Sequence, residues 1–334
     1  MKQEGIEMRV GVIGPTAPDS FADNIAHCLP NIGVDAVQLG PVSPRPHNKF
    51  LALASHVIEH LSAETEEFFQ RPLIRRVRES ECDVIINVEQ ALMPATVAKI
   101  KRGGPRIALW YPDAVSNISR MAMIASEYDA LFLKDPLFVD RLTQVYGLPA
   151  VYVPEACNPE WHRPIGHAGK EPFIVVVGNI YPTRARLLQR LHEAGVPMKL
   201  YGGGFPRWYD AGPLAPLFTH KHVTREEKSK VFREARGVLN NLHPAEMSSV
   251  NARLFEATGA GAAVLCEYRD SLPDLFRLDH EVLAFSTFDQ LVDQCRRLID
   301  EPGLTRTIGD AATLRAHADH TYEVRLRSML DHLM

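Results

Sequence analysis

The sequence predicts an α/β protein built from two Rossmann-like domains, and three observations carry that prediction. Short apolar runs alternate with helical patterns along the chain, which calls for parallel strands covered on both faces. The alternation is interrupted once, by the Pro-rich stretch EACNPEWHRPIGHAGKEP at 155–172, and then restarts. At 334 residues the chain is long enough for two domains, each with its own core.

In the first half RVGVIGP (9–15) reads as a strand ending in Gly-Pro, followed by a helix in SFADNIAHCLPNIG that Pro30 limits. DAVQLGP is a second strand, residues 49–80 read as helical, and CDVIINVE (82–89) and PRIALWYPD (105–113) are further strands. YDALFLKD and AVYVPEA flank a helix in PLFVDRLTQVYG. The stretch 155–172 reads as a linker or domain junction. Beyond it FIVVVGN (173–179), PMKLYGGG (197–204), GVLNNLH (237–243) and AAVLCE (262–267) are strands. The helices between them are PTRARLLQRLHEAG, TREEKSKVFREA and the stretch 248–260. Residues 286–300 and 306–334 close the chain as helices. Ligands of such sheets bind beyond the carboxyl ends of the strands, so two facing sheets imply a site in the cleft between them.

Composition bounds the chemistry. The chain is 46% hydrophobic and 23% charged with a net charge of -4, so no basic excess points to nucleic acid. An anionic ligand needs a local site instead. The start is too polar for a signal peptide and no run is long enough for a transmembrane span. Five dispersed cysteines without C-x-x-C read as reduced core thiols, so the expected location is cytoplasmic.

Several motifs fail. Gly11 and Gly14 lack a third glycine, and Pro15 sits in the turn, so the dinucleotide fingerprint is absent. There is no G-x-S-x-G elbow and no Asp-x-Asp pair for a metal-bridged diphosphate. HADH (317–320) reads as a solvated helix face and not as metal ligands. Gly202–Gly204 is either a flexible turn or a point of close backbone approach to a ligand.

More telling is VVGNIYPTRARLL, where a strand ends at Gly178 and two arginines open a helix. Helix N-termini bind phosphate and a guanidinium adds a fork of donors. Arg184 and Arg186 are two apart, so at most one of them faces the site unless both lie on a solvated face, and Arg184 is favoured because it is nearer the loop. Lys230 and His222 flank another helix; the backbone of Val223 could stand beside a planar base, although an ordinary helix start explains the pattern. In SSVNARLFEATGAGAAVLCE, Arg253 and Glu256 share a helix side, either as an internal ion pair or with Glu256 accepting from a vicinal diol such as a ribose.

The segment LNNLHPAEMSSVNARLFEATGAGAAVLCEYRDSLPDLF resembles the donor-binding region of group 1 glycosyltransferases of the GT-B fold, nearest to the CgeB-like (spore-maturation-type) branch. The resemblance rests on Asn251, Arg253, Phe255-Glu256-Ala257, the Gly259-x-Gly261 turn and Pro273-x-x-Phe276. VVGNIYPTRARLL, HADHTYEVRLRSML, LWYPD, YDALFLKD and VYVPEACNPEWHRP resemble other landmarks of that fold. It implies an acceptor domain over 1–160, a donor domain over 161–314, and a C-terminal helix at about 315–334 packing back on the first.

The resemblance further implies transfer of a sugar from a nucleotide-diphosphate donor to an unidentified acceptor. No metal and no separate cofactor would be needed, and retention would be the usual outcome. Glu256 would hold the ribose, while Arg184 and Lys230, with the helix behind Asn251, would neutralise the diphosphate. Gly178, Asn179, Tyr181, Tyr201, Gly202, His222, Val223 and Arg253 would line the donor site. Trp110 to Asp113 would face the transferred sugar, with Asp113 as base or hydroxyl acceptor. Members with two glutamates eight apart have the first where this chain has Ser248, which leaves the stereochemistry open. Ser248 also keeps open a binder without turnover, and Glu89 with Asp113 keeps open a nucleotide-sugar epimerase.

Overall fold

The computed structural model describes residues 8–43, 62–119, 121–205 and 208–334. They form two units, Met1–Pro154 with Glu323–Met334, and Glu155–Tyr322. The expected helix at 49–61 lies outside the described residues.

The first unit holds a parallel sheet of β1 (Arg9–Ile13), β2 (Asp35–Gly40), β3 (Val84–Asn87), β4 (Arg106–Tyr111), β5 (Ala130–Leu133) and β6 (Ala150–Tyr152), in the order β2-β1-β3-β4-β5-β6. Both faces are buried. Ile13, Ile85, Ile107, Leu109, Leu131 and Leu133 lie in one core, while the alternate residues Val12, Val84, Ile86, Trp110 and Phe132 are equally inaccessible. That two-sided burial is why these strands read as unbroken apolar runs. Gly11 and Gly14 serve packing: a Cβ on Gly14 would stand 2.5 Å from Val88, and one on Gly11 2.6 Å from Leu39. The helix Ala63–Ser80 starts from a capping box of Ser62 and Thr65. The helix Pro94–Lys101 is an addition to the sequence-based list.

The second unit carries β7 (Glu171–Val177), β8 (Met198–Tyr201), β9 (Ala235–Asn240), β10 (Val264–Glu267) and β11 (Leu283–Phe285), all parallel, in the order β11-β10-β9-β7-β8. Here too the strands alternate between two cores, Val175, Val177, Val238 and Val264 on one face and Ile174, Val176, Leu239 and Leu265 on the other. β11 escaped the sequence pattern because it is three residues long.

The stretch 155–172, read as a linker or domain junction, begins where the second unit begins, and Glu155, Ala156, Cys157, Asn158, Trp161 and His162 in it are buried, so its start is a junction and not an exposed linker. One expectation is corrected. The closing helix is two helices, Pro302–Asp319 and Tyr322–Leu333. They part because Cys157 N donates to His320 O at 2.9 Å and Tyr322 N donates to Cys157 O at 3.0 Å, which diverts the backbone from helical pairing. The last helix belongs to the first unit, where His332 meets Phe132 edge-on at 5.9 Å and Asn31 Nδ2 donates to Glu323 at 3.1 Å.

Candidate functional site

The second sheet reverses direction of growth at β7: the chain moves outward to β8 and returns to the other side as β9. The carboxyl ends of β7 and β9 therefore flank the switch point, where open α/β sheets leave a crevice for ligands. Gly178 follows β7, and Asn240 and Asn241 stand at the end of β9.

Three loops are drawn together there by their backbones. Gly178 N donates to Tyr201 O and Gly202 N donates to Lys221 O, both at 3.0 Å. Gly178 and Gly202 have φ of +116° and +132°, a region that side chains disfavour. A Cβ on Gly202 would lie 2.5 Å from Gly178 O, and one on Gly178 2.5 Å from Arg253 Nη2. The close approach foreseen at Gly202 is thus to a neighbouring loop. Val223 is buried, Tyr201 half-buried and His222 exposed. Burial raises the pKa of Tyr201.

Arg184 points inward and Arg186 outward, the division expected of residues two apart on a helix. Arg184 is 2% exposed, and its donors are engaged within the protein. Nε donates to Asn241 Oδ1 at 2.9 Å, Nη1 to Asn179 O at 2.7 Å and Nη2 to Asn241 O at 3.2 Å. The guanidinium also lies 4.7 Å from the centre of the Tyr181 ring, and Tyr181 OH accepts from Asn241 Nδ2 at 3.2 Å. Arg184 thereby ties the β7 and β9 loops together.

Arg253 is a cation with donors to spare. It is half-buried, and among the described residues its one hydrogen bond runs from Nη1 to Asn240 Oδ1 at 3.2 Å. Neither Arg184 nor Arg253 has a carboxylate at ion-pair distance among the described residues. Burial is the main force lowering the pKa of both. For Arg184 the charge of Arg253 adds to it; for Arg253 the charges of Glu256 and Glu155 oppose it. Two guanidiniums beside one glycine, unneutralised at contact range, make an electropositive focus.

Glu256 does not pair with Arg253. It meets Lys228 Nζ at 2.8 Å, with side chains 16% and 9% exposed. Lys230, the expected cation, is on the exposed face of helix Arg225–Glu234, and Lys228 is on the buried one. The signal was in the sequence: Lys228 is four residues before Phe232, which is fully buried, whereas Lys230 is two before it. Asn251 is the residue before helix Ala252–Gly259, and its Oδ1 is buried without a hydrogen-bond partner among the described residues. Ser248 is 2% exposed, and the nearby Glu246 accepts from Ser249 Oγ at 2.5 Å.

In the first unit Asp113 is exposed on the loop after β4, beside a small hollow lined by Tyr111, Ile118, Lys134, Asp135 and Phe138. The Tyr111 hydroxyl in that hollow has no hydrogen-bond partner among the described residues, and burial followed by the Asp113 charge pushes its pKa up. Trp110 does not face such a site. It is fully buried and packs edge-on against Phe21 at 4.6 Å. Glu89 caps its own unit's loops, with Oε2 accepting from Val42 N at 3.3 Å.

Sequence reasoning missed three groups here: Lys228, the Asn240-Asn241 pair that holds both arginines, and His162. A ring nitrogen of His162 lies within 4.8 Å of a Glu256 carboxylate oxygen. Its position in a Pro-rich stretch concealed it.

Residues 184–331 match the sequence profile of a family described as Glycosyl transferase-like. No curated protein matches the chain in sequence. Among solved structures, it resembles a sucrose-phosphate synthase from Thermosynechococcus elongatus, with TM-score 0.68 and 12% identity over 97% of this chain and 98% of that one. Anabaena Alr3699/HepE in complex with UDP and glucose gives 0.66 and 11%, covering 98% and 99%. A glycosyltransferase from Rickettsia africae gives 0.63 and 9%, covering 98% and 97%. The chain has the two-domain α/β fold of GT-B proteins.

Proposed function

We propose that this protein is a glycosyltransferase of the CgeB-like branch that binds a nucleotide-diphosphate sugar at the carboxyl end of the second sheet and passes the sugar to an acceptor handled by the first unit. The observation that carries the reading is the convergence of Arg184 and Arg253 on Gly178 at the switch point, without a contacting carboxylate. An anion placed there relieves the repulsion between the two cations, so the site favours a diphosphate over a neutral ligand. The family match over 184–331 includes Arg184 and Arg253, and Anabaena Alr3699/HepE was solved with UDP and glucose.

In this reading Arg253 and the N-terminus of helix Ala252–Gly259 meet the diphosphate, and Arg184 positions the loop that receives it. Charge that develops on the leaving phosphate is stabilised by donors already in place, which lowers the barrier without a metal. Glu256, held by Lys228, keeps one edge for the ribose hydroxyls, and Asn251 Oδ1 offers an acceptor to a sugar hydroxyl. Asp113 serves the acceptor side. Retention is the stereochemical outcome that the resemblance supports.

Nucleoside diphosphates (UDP, GDP, dTDP, CDP and ADP) in the presence of EDTA test the donor site by thermal shift and calorimetry. One of them at about 100 times its Kd stabilises the protein by about 2.7 kcal/mol. Arg253→Gln removes most of that gain. Failure of every nucleotide to bind overturns the proposal. A second reading, a binder without turnover, is favoured by the buried Ser248, which stands where the resemblance leads one to expect the first glutamate of a pair. Nucleotide binding with no donor consumption across an acceptor panel would select it.

A further inference from the structure

We infer that His243 is a further residue of the donor site, giving a hydrogen bond through its Nε2–H to the distal phosphate of a nucleoside diphosphate; the inference rests on the donor-site reading. Three observations carry it. His243 is exposed on the loop that follows β9, one of the two strands flanking the switch point. Its Nδ1 accepts the backbone N–H of Ala245 at 3.2 Å, and its Nε2 has no partner among the described residues. Its ring centre lies 5.1 Å from that of Tyr181, with the two planes 56° apart.

The contact with Tyr181 puts the histidine at the cationic site. Tyr181 is the residue before helix Pro182–Glu193, and the Arg184 guanidinium stands 4.7 Å from the centre of the same ring. Asn241, two residues before His243, accepts from Arg184 Nε on Oδ1 and from Arg184 Nη2 on its backbone carbonyl, and its Nδ2 donates to Tyr181 OH. The exit of β9 is thus bound to the loop after β7 through side chain and backbone together. Two carboxylates near this loop have partners of their own. Glu267 accepts from Leu242 N at 3.0 Å and pairs with Arg269 at 3.0 Å, and Glu246 accepts from Ser249.

The bond from Ala245 selects the tautomer. A nitrogen that accepts an N–H carries no proton itself, so the ring's proton sits on Nε2. Nε2 is then a donor with no lone pair to offer, and an oxygen that only accepts, such as that of a phosphate, is its natural counterpart. The Tyr181 contact and the Ala245 bond hold the ring before a ligand arrives, which spares the cost of ordering it on binding.

Strand order says which phosphate the ring meets. β7 lies between β8 and β9. On the β8 side Gly202 N donates to Lys221 O, and the donor-site reading sets the base beside Val223, two residues further on. A nucleotide that begins there and crosses the end of β7 brings its outermost phosphate to the exit of β9. Arg253 reaches Asn240 at that same exit, and His243 stands three residues beyond it.

Two substitutions separate the roles of the two nitrogens. His243→Asn keeps an acceptor near Nδ1 for Ala245 N and deletes the outward donor. His243→Gln reaches as far as Nε2 and restores a donor there. Wild type and both variants are titrated by calorimetry in EDTA with UDP, GDP, dTDP, CDP and ADP and with the matching monophosphates, and their unfolding midpoints are measured without ligand. The expected result for His243→Asn is a loss of about tenfold in diphosphate affinity, with monophosphate affinity and unfolding midpoint unchanged. His243→Gln is expected to recover most of that loss. A ring that merely braces its loop would lower the midpoint and both affinities alike, and that result overturns the inference. Wild-type diphosphate affinity in His243→Asn, where Arg253→Gln weakens binding, overturns it as well and leaves the donor site standing. A His243→Gln protein as weak as His243→Asn overturns the role given to Nε2. Absence of any nucleotide binding by wild type overturns this inference and the donor-site reading together.

Discussion

Replacing Glu256 by Gln tests the site where stability and function meet. Glutamine keeps the shape of the side chain and one acceptor for Lys228 but removes the negative charge. The pair is close, at 2.8 Å, and shielded, with 16% and 9% of the side chains exposed. Breaking a buried pair from one side costs about 3–5 kcal/mol, chiefly because the surviving charge is left without compensation. The retained acceptor places Glu256→Gln at the low end, about 3 kcal/mol. At roughly 2–4 °C per kcal/mol for a unit of this size, the unfolding midpoint falls by about 6–12 °C. Lys228→Met costs a similar amount, and the double variant recovers much of the loss because no buried charge remains. Calorimetric unfolding of the four proteins closes the cycle. Single variants that each stay within about 1 kcal/mol of wild type, with an additive double, would refute the buried-pair argument.

Other outcomes follow from the same geometry. Asn251→Ala is expected to leave the unfolding midpoint unchanged, because its Oδ1 has no partner to lose among the described residues, while donor affinity drops by about fivefold in calorimetry. Lys230→Ala, on the exposed face, should change neither stability nor nucleotide affinity, in contrast to Lys228→Met. Gly202→Ala forces a side chain into φ +132° and against Gly178 O, so a loss of about 1–3 kcal/mol is expected in denaturant unfolding. Burial pushes the thiols of Cys266 and Cys295 up to about 12, so both should resist alkylation at pH 8 until the protein unfolds. Between pH 9 and 12 the unfolded chain releases those protons and the folded chain holds them. Stability then falls as pH rises, by about 1.4 kcal/mol per unit for each thiol, in unfolding titrations.

What the sequence by itself determined is the part of the protein governed by local periodicity. Strands buried on both faces must be nearly continuously apolar, and VGVI, VII, IALWY, ALFL and FIVVV are so; that property announced two doubly covered parallel sheets. The glycine that ends the strand at 178 and the inward turn of Arg184 were equally legible, since strand ends and helical phase are written in neighbouring residues. Tertiary structure alone decided which charged groups meet. Arg253 and Glu256 are correctly spaced for a pair on one helix, yet Lys228 from another helix takes the carboxylate, because the packing of Phe232 turns that face inward. Arg184 looked like a ligand-binding cation until Asn179 and Asn241, the latter 57 residues away, engaged its donors. His162 lay in a segment whose prolines suggested a linker or domain junction, and only its burial, with His317, Gly259 and Ser229 against its backbone, shows that the segment is packed. Partners separated by tens of residues leave no periodic trace, so a sequence names the side chains of a site more readily than it says which of them touch.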